Sequence, residues 1–132
     1  MAWKVRGIRG ATTVTVNQSS AIAEAVTELL DQIEQHNQFD SEDIVSVVFT
    51  VTADLNAVFP AAIARHRPGW NYIPLMDLQH MQVENGLPMC IRILIHVNTQ
   101  LTQLEINHCY LRKAASLRPD LVSQSSTTAI RP

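Results

Sequence analysis

The stretch that decides the fold is residues 90–97, which read Cys-Ile-Arg-Ile-Leu-Ile-His-Val. Its many β-branched residues are typical of a buried strand, and Gly86 and Pro88 mark the turn before it. Because side chains alternate across a strand, the four odd-numbered residues, all apolar, would form one core face. The opposite face would carry Cys90, Arg92 and Leu94, with His96 beyond them.

Arg92 is the residue of this strand that needs an explanation. It is a permanent cation between apolar neighbours, and burying an unpaired guanidinium costs several kcal/mol. The sequence therefore predicts one of three solutions for Arg92. It has a standing anionic partner, it lies in a wet cleft, or it binds an anionic ligand.

Composition sets the broad class. The chain has 132 residues, 46% of them hydrophobic, which predicts one globular domain over 1–132. A net charge of -2 gives no electrostatic case for nucleic acid or an anionic membrane surface. No apolar run approaches the roughly 20 residues of a membrane span, and the first residues lack a signal peptide's apolar block. Cys90 and Cys109 lack metal-type spacing, so we expect free thiols and a cytoplasmic protein.

Hydrophobic periodicity predicts the order of elements. The strands are expected over 3–16, 44–52, 70–75 and 90–97, with a connection over 76–81. A long helix should follow the capping residues at 17–20, and a short one should span about 57–65, with Asp54 as its cap and Pro60 in its first turn. A second long helix is expected from Leu101 to Pro119, and a polar, mobile tail from about 122 to 132.

This order predicts an α/β (α+β) fold in which a mixed sheet carries both long helices on one face. The opposite face, the one with Arg92, would then be bare. We place Leu94, Val48 and Ile8 on it, which makes it too apolar for water. Association of subunits across this face would resolve the conflict, so we expect an oligomer.

The chemistry indicated by the sequence is non-covalent. It has no glycine-rich phosphate loop, no Gly-x-Ser-x-Gly and no His-Glu-x-x-His, and its five histidines lack metal-ligand spacing. We therefore expect no metal and no cofactor. The remaining signal is a set of arginines in apolar settings, which favours a small anionic organic ligand held and stabilised by charge.

Five segments carry a resemblance to a known family. They are residues 5–13 (VRGIRGATT), 54–61 (DLNAVFPA), 90–93 (CIRI), 108–111 (HCYL) and 117–121 (LRPDL). Together they resemble the monofunctional chorismate mutases of the Bacillus type, collinearly from about residue 3 to 121. The resemblance implies a homotrimer with a pseudo-α/β-barrel core and active sites at the subunit interfaces. It also implies an isomerase that converts chorismate to prephenate without a cofactor, towards phenylalanine and tyrosine.

This reaction needs the kind of chemistry that the residues indicate. Chorismate is a dianion, and its rearrangement breaks a C–O bond as a C–C bond forms, without a nucleophile or proton transfer. The enzyme must hold the folded conformer and stabilise negative charge that grows on the ether oxygen. A guanidinium suits the second task because it stays charged and offers fixed donors.

The resemblance also implies the site residues. Arg92 would contact the ether oxygen and a carboxylate, Arg9 would bind a carboxylate, and the Tyr110 hydroxyl would reach a carboxylate. Two apolar walls and a mouth arginine from the neighbouring subunit complete the implied set: Phe59, Leu117 and Arg65.

The chain departs from the family at three positions. His80 stands where the Bacillus-like members have a glutamate, and Asp77 stands where they have a cysteine. If 77–80 is a helical turn, both lie on one side. Our hypothesis is that Asp77 replaces the glutamate beside Arg92 and that His80 is either a neutral helper or only fills space. The alternative is that Asp77 only caps a turn. Ala62 replaces a common mouth lysine, a task that Arg67 could take over.

Two other functions compete with this interpretation. One is a non-mutase trimer of the same architecture, such as the Rid-like imine deaminases, although their Gly/Pro-rich signatures are absent. The other is a binding module that senses a small carboxylate without turnover, for which the loss of a glutamate at position 80 would be the sign.

Overall fold

The computed structural model describes residues 2–120, which form a five-stranded mixed sheet in the order β3-β2-β4-β1-β5. Its elements are β1 (Lys4–Thr13), α1 (Ser19–Asn37), β2 (Ile44–Val51), α2 (Pro60–Ala64), β3 (Leu75–Gln79), β4 (Cys90–Thr99) and β5 (Cys109–Tyr110). Strand β4 pairs antiparallel with β1 and β2, while β3 and β5 add parallel strands at the two edges. The predicted mixed sheet of an α+β fold is confirmed.

The central strand β4 alternates as its sequence predicts. Ile91, Ile93, Ile95 and Val97 are at most 3% exposed and form the middle of the hydrophobic core. On the other face, Arg92, Leu94 and His96 are only half-buried, whereas Cys90 at the start of the strand is buried. The sheet therefore has a helix-covered core face and a second face, here called the open face.

Helix α1 covers the core face. Its stripe is buried as predicted and consists of Ile22, Val26, Leu29, Leu30 and Ile33. A Cβ on Gly10 of β1 would lie 3.0 Å from both Ile33 Cδ1 and Ile93 Cγ2. This close helix–strand contact explains a glycine in the interior of a strand. The buried Ile8 also lies on this face, paired with Ile95, so its predicted place on the bare face is wrong.

The second helix, α2, is short and packs against α1 and β3. Pro60 opens it, as predicted, but the residue before it is Phe59, so Asp54 is not its cap. The cap is provided from β3, where Asp77 Oδ1 accepts a hydrogen bond from the Ala61 N–H at 3.0 Å. Both helices lie on one side of the sheet.

The predicted second long helix is wrong. Residues 101–118 instead form two 3-10 turns, Gln103–Glu105 and Arg112–Ser116, on either side of β5. Leu104 of the predicted apolar stripe is 91% exposed, while Ile106 and Cys109 are buried. Tertiary contacts outweigh the local period here, because β5 pairs with β1 and Asn37 of α1 binds the Asn107 backbone through 2.8 Å hydrogen bonds.

The strand predicted over 70–75 lies later in the chain. Trp70 enters the core from a turn, and pairing with β2 begins only at Leu75. The segment 76–81, predicted as a connection, therefore contributes most of β3. Among residues 2–120, no helix is both long and apolar enough to cross a membrane. The predicted mobile tail from about 122 to 132 lies outside the described residues.

Candidate functional site

Arg92 lies on the open face of β4, between Ala11 of β1 and Thr50 of β2. It is half-buried, and its Nε is fully buried without a hydrogen-bond partner. The guanidinium lies near the Cys90 thiol two residues earlier, where its charge acts against the rise of the thiol pKa that burial causes. Within residues 2–120, no carboxylate lies within 4.0 Å of Arg92. Of the three predicted solutions, a standing ion pair is therefore not made inside the described chain.

The guanidinium instead contributes to a cleft of about 670 Å³, here called the first cleft. Its wall is the segment 81–88, and the other lining residues include Thr52, Asp54, His80 and Leu117. Leu117 also packs on a small cluster of Ala11, Cys90, Tyr110 and Ala114. The part of a charged group that faces an open cleft can stay hydrated, which lowers the penalty of burial, whereas the buried Nε has no partner among residues 2–120.

His80 follows β3 and lies beside Arg92. Its backbone N–H donates to the Val51 carbonyl at 2.7 Å, and its Nδ1 lies 3.4 Å from Thr50 Oγ1. Burial and the positive charge of Arg92 both lower the pKa of His80, which favours the neutral ring at neutral pH.

The predicted placement of Asp77 is wrong. Residues 75–79 form a strand and not a helical turn, and Asp77 pairs in register with Phe49 of the core face. Its carboxylate therefore lies on the opposite face of the sheet from Arg92 of the same chain. Burial raises the pKa of Asp77, while the Ala61 hydrogen bond and the charge of Arg65 oppose that effect.

Asp77 lines a second cleft of about 530 Å³, with Phe59 on its other wall. Phe59 is 70% exposed, which is unusual for a large aromatic side chain. The two clefts share Thr52 and Ala53 at the end of β2. Five predicted site residues therefore line a cleft, in two groups that a single chain does not bring together: Arg92, His80 and Leu117 in the first, and Asp77 and Phe59 in the second.

Of the remaining predicted residues, Arg65 follows α2, is exposed and lies near Asp77, while Arg9 and Tyr110 lie at the β1–β5 edge. Arg9 is exposed on the open face, and its backbone N–H donates to His108 Nδ1 at 2.9 Å. Tyr110 of β5 is 6% exposed and pairs with Ala11, the neighbour of Arg92. Burial and the charges of Arg9 and Arg118 lower the pKa of His108.

Sequence reasoning missed three polar residues near the site. Arg118 lies close to Tyr110 and pairs with Asp120 at 2.8 Å, which lowers the pKa of that carboxyl. The sequence feature that could have indicated Arg118 is its place in the LRPDL segment. Thr52 and Asp54 line the first cleft, although nothing in their spacing indicated it.

Arg67 cannot take the role of the mouth lysine. Its guanidinium binds Asp31 at 3.0 Å and Glu34, both on α1, and it stacks 5.7 Å from the Trp70 ring centroid. Within the described part of the chain, no group of three or more His, Cys, Asp or Glu side chains could hold a metal ion.

These features define an α+β protein whose open sheet face carries two guanidinium groups, those of Arg92 and Arg9, with Arg92 lining a cleft. Residues 5–121 match the family model for chorismate mutase type I. The chain belongs to this family.

Known relatives agree with the family match. The chain is 42% identical over 123 residues to the chorismate mutase AroH of Bacillus subtilis, covering 93% of this chain and 97% of that protein. It is 44% identical over 120 residues to the AroH of Thermus thermophilus, covering 90% and 98%. A solved chorismate mutase from Clostridium thermocellum superposes with a TM-score of 0.80 at 41% identity, over 83% of this chain and 97% of that one.

Proposed function

We propose that this protein catalyses the rearrangement of chorismate to prephenate, the branch step towards phenylalanine and tyrosine, in the cytoplasm. The observation that carries the proposal is the Arg92 guanidinium, which faces the first cleft without a carboxylate within 4.0 Å among residues 2–120. A fixed cation that no carboxylate neutralises is available to stabilise charge that develops on a bound ligand.

The reaction assigns Arg92 to the ether oxygen and one carboxylate of chorismate. Arg9, on the same face, binds a substrate carboxylate, and the Tyr110 hydroxyl donates to a carboxylate. Leu117 closes the apolar side of the first cleft. No side chain attacks the substrate, so the barrier falls through orientation and charge stabilisation alone.

The protein acts as a homotrimer with a pseudo-α/β-barrel core and active sites at the subunit interfaces. Support comes from the open face, where Val5, Met76 and Leu78 are 52%, 56% and 47% exposed. Half-buried Leu94 and Val48 continue this apolar surface. Exposed apolar surface of this kind marks a protein interface, and cyclic symmetry would bury it in all three subunits at once.

Each active site then combines the first cleft of one subunit with the second cleft of its neighbour. The neighbour supplies Phe59 as a wall, Arg65 at the mouth, and the Asp77 carboxylate. Asp77 balances Arg92 across the interface, and His80 is a neutral neighbour within the first cleft. This arrangement keeps the hypothesis that Asp77 replaces a glutamate, although the two residues lie on opposite faces of one chain.

The activity is tested by incubating the protein with chorismate. We expect the ultraviolet absorbance of chorismate to fall while prephenate appears, faster than in the uncatalysed control. Tight binding of chorismate without turnover above background would contradict the enzyme and favour a binding module. Release of ammonia from an imine substrate, with no effect on chorismate, would favour the deaminase alternative.

The interface site is tested with mixed trimers of two inactive variants. Asp77→Asn keeps the acceptor for Ala61 N–H but loses the charge, and Arg92→Ala loses the guanidinium. If a site takes the two residues from different subunits, random mixing restores roughly one quarter of the sites. The control is a mixture of Arg9→Ala with Arg92→Ala. It should restore no active sites, because one subunit supplies both of these residues to each site. No recovery in the Asp77 mixture would contradict the arrangement.

The roles of Asp77 and His80 are separated by steady-state kinetics. We expect Asp77→Asn to lower turnover strongly and His80→Ala to lower it little. If only His80→Ala is damaging, the two roles are reversed.

A further inference from the structure

The start of β4 is fastened by a network that we call the Asp54 clasp, made of Thr52, Asp54, Met89 and Cys90. Asp54 Oδ2 accepts the Met89 N–H at 3.0 Å, and Asp54 Oδ1 accepts the Thr52 hydroxyl. The Thr52 oxygen in turn accepts the Cys90 N–H at 3.0 Å. The Thr52 N–H donates to the Cys90 carbonyl at 3.1 Å. The clasp thus uses both carboxylate oxygens on one short piece of backbone.

This piece of backbone needs outside support. Met89 has a φ of 52°, in the left-handed region that a residue with a side chain adopts at a cost. Its carbonyl accepts the Val14 N–H at 2.9 Å, so β1 holds one end of the residue and Asp54 holds the other. Hydrogen bonds to a carboxylate are stronger than neutral ones, which suits Asp54 to this task.

The clasp connects directly to Arg92. Cys90 lies two residues before Arg92, on the same face, and is 2% exposed. Its thiol lies near the Arg92 guanidinium, whose positive charge acts against the rise of the thiol pKa that burial causes. A shift of Cys90 would therefore displace both a neighbour of the guanidinium and the strand backbone that carries Arg92. It would also move Pro88 and Leu87, which line the first cleft.

We propose that Asp54 is a positioning residue for Arg92. It holds Met89 and Cys90 so that the guanidinium keeps its place in the first cleft, and it makes no ion pair with Arg92 itself. This role rests on the proposed function, because its benefit is to the charge that Arg92 stabilises. Asp54 is itself exposed, so its bonds act on the geometry of the cleft more than on the core.

The test compares three variants by steady-state kinetics with chorismate. Asp54→Ala removes the clasp, and a misplacement of about 1 Å costs on the order of 100-fold in rate, so we expect kcat to fall between about 10- and 100-fold. KM should change little, because Arg9 still binds a carboxylate. Asp54→Asn keeps one acceptor, for Met89, but loses the second acceptor, for Thr52, and the negative charge, so its kcat should lie between those of the wild type and Asp54→Ala. Asp40→Ala is the matched control, since exposed Asp40 also accepts a backbone N–H, from Glu42, far from the cleft.

A second readout reports on the clasp without turnover. The protein has two cysteines, both free thiols, and burial raises the pKa of Cys109 to about 12, so it reacts slowly. Burial also raises the pKa of Cys90, although Arg92 opposes this, so both thiols should react slowly in the wild type, and a labelling increase that needs Cys90 reports on the clasp. We expect faster labelling in Asp54→Ala than in the wild type or in Asp40→Ala. Cys90→Ala in the Asp54→Ala background should abolish the increase.

The outcomes separate this inference from the proposed function. Wild-type kcat in folded Asp54→Ala would overturn the positioning role, and so would unchanged Cys90 labelling. If Asp54→Ala does not fold, the same measurements on Asp54→Asn decide: kcat and labelling equal to the wild type contradict the role. If the wild type does not convert chorismate, the proposed function fails, while the labelling still tests the clasp.

Discussion

The two faces of β4 differ sharply in burial and charge, although their residues alternate along one strand. The core face holds Ile91, Ile93, Ile95 and Val97, all at most 3% exposed beneath α1. The open face holds Arg92, Leu94 and His96, all half-buried, and Arg92 lines the first cleft. The difference separates stability from function: one face contributes hydrophobic burial, and the other presents charge and an apolar surface for association. Substitutions on the two faces should therefore fail in different ways.

The largest effect is expected at Arg92. Arg92→Ala should lower kcat for chorismate by about 100- to 1,000-fold, as is typical when one preorganised donor to a developing oxyanion is lost. Its free energy of unfolding in urea should stay close to that of the wild type. Arg92→Lys keeps the charge but loses the planar donor geometry, so its kcat should lie between those of the wild type and Arg92→Ala. Full activity in Arg92→Ala would contradict the role of the open face.

On the core face, Ile93→Ala should act on stability. Removing buried methyl groups should lower the free energy of unfolding by about 2–5 kcal/mol, measured in urea. The kcat of the remaining folded protein should stay near the wild-type value, because Ile93 points away from the cleft. A large loss of kcat with unchanged stability would mean that the two faces are not independent.

Leu94 tests the association of subunits. Leu94→Asp places a charge in the apolar open face, so trimers should dissociate, as measured by sedimentation equilibrium, and activity should fall with them. Tyr72→Asp is the control, because Tyr72 is 97% exposed in a turn outside the sheet. A Leu94→Asp protein that remains trimeric would place the interface elsewhere.

The smallest effect concerns His108 at the edge of the open face. Its pKa lies below the ordinary 6.5 when folded, so below about pH 6.5 the unfolded chain binds more protons than the folded one. The free energy of unfolding should therefore fall as the pH drops from 6.5 through the folded pKa. His108→Asn can still accept the Arg9 N–H without titrating, so its stability should depend less on pH over this range. If the free energy of unfolding depends on pH equally in both proteins, groups other than His108 cause the loss of stability at low pH.

Local sequence patterns were sufficient to predict the elements that need only some apolar surface to pack against. The stripe of α1 and the alternation of β4 are period signals, and any apolar surface satisfies them. The same signal failed over 101–118, where β5 pairing and the hydrogen bonds of Asn37 with Asn107 replace a helix. Candidate residues on the open face, such as Arg92 and Arg9, were found because a cation in an apolar strand needs an explanation. Asp54 was missed, because its importance comes from contacts with Met89, 35 residues away.

The sequence alone therefore determined the two-faced β4 strand, the long helix, and the family that its segments resemble. Only the tertiary structure decided that residues 75–79 pair with β2 and that Asp77 lies beside Phe49, which places Asp77 on the opposite face from Arg92. The physical reason is that a strand's side chains alternate with a period of two, so the register of its pairing, which local sequence does not fix, decides the face of each residue. Periodicity fixes what a segment can bury, and pairing with distant strands fixes where each side chain points.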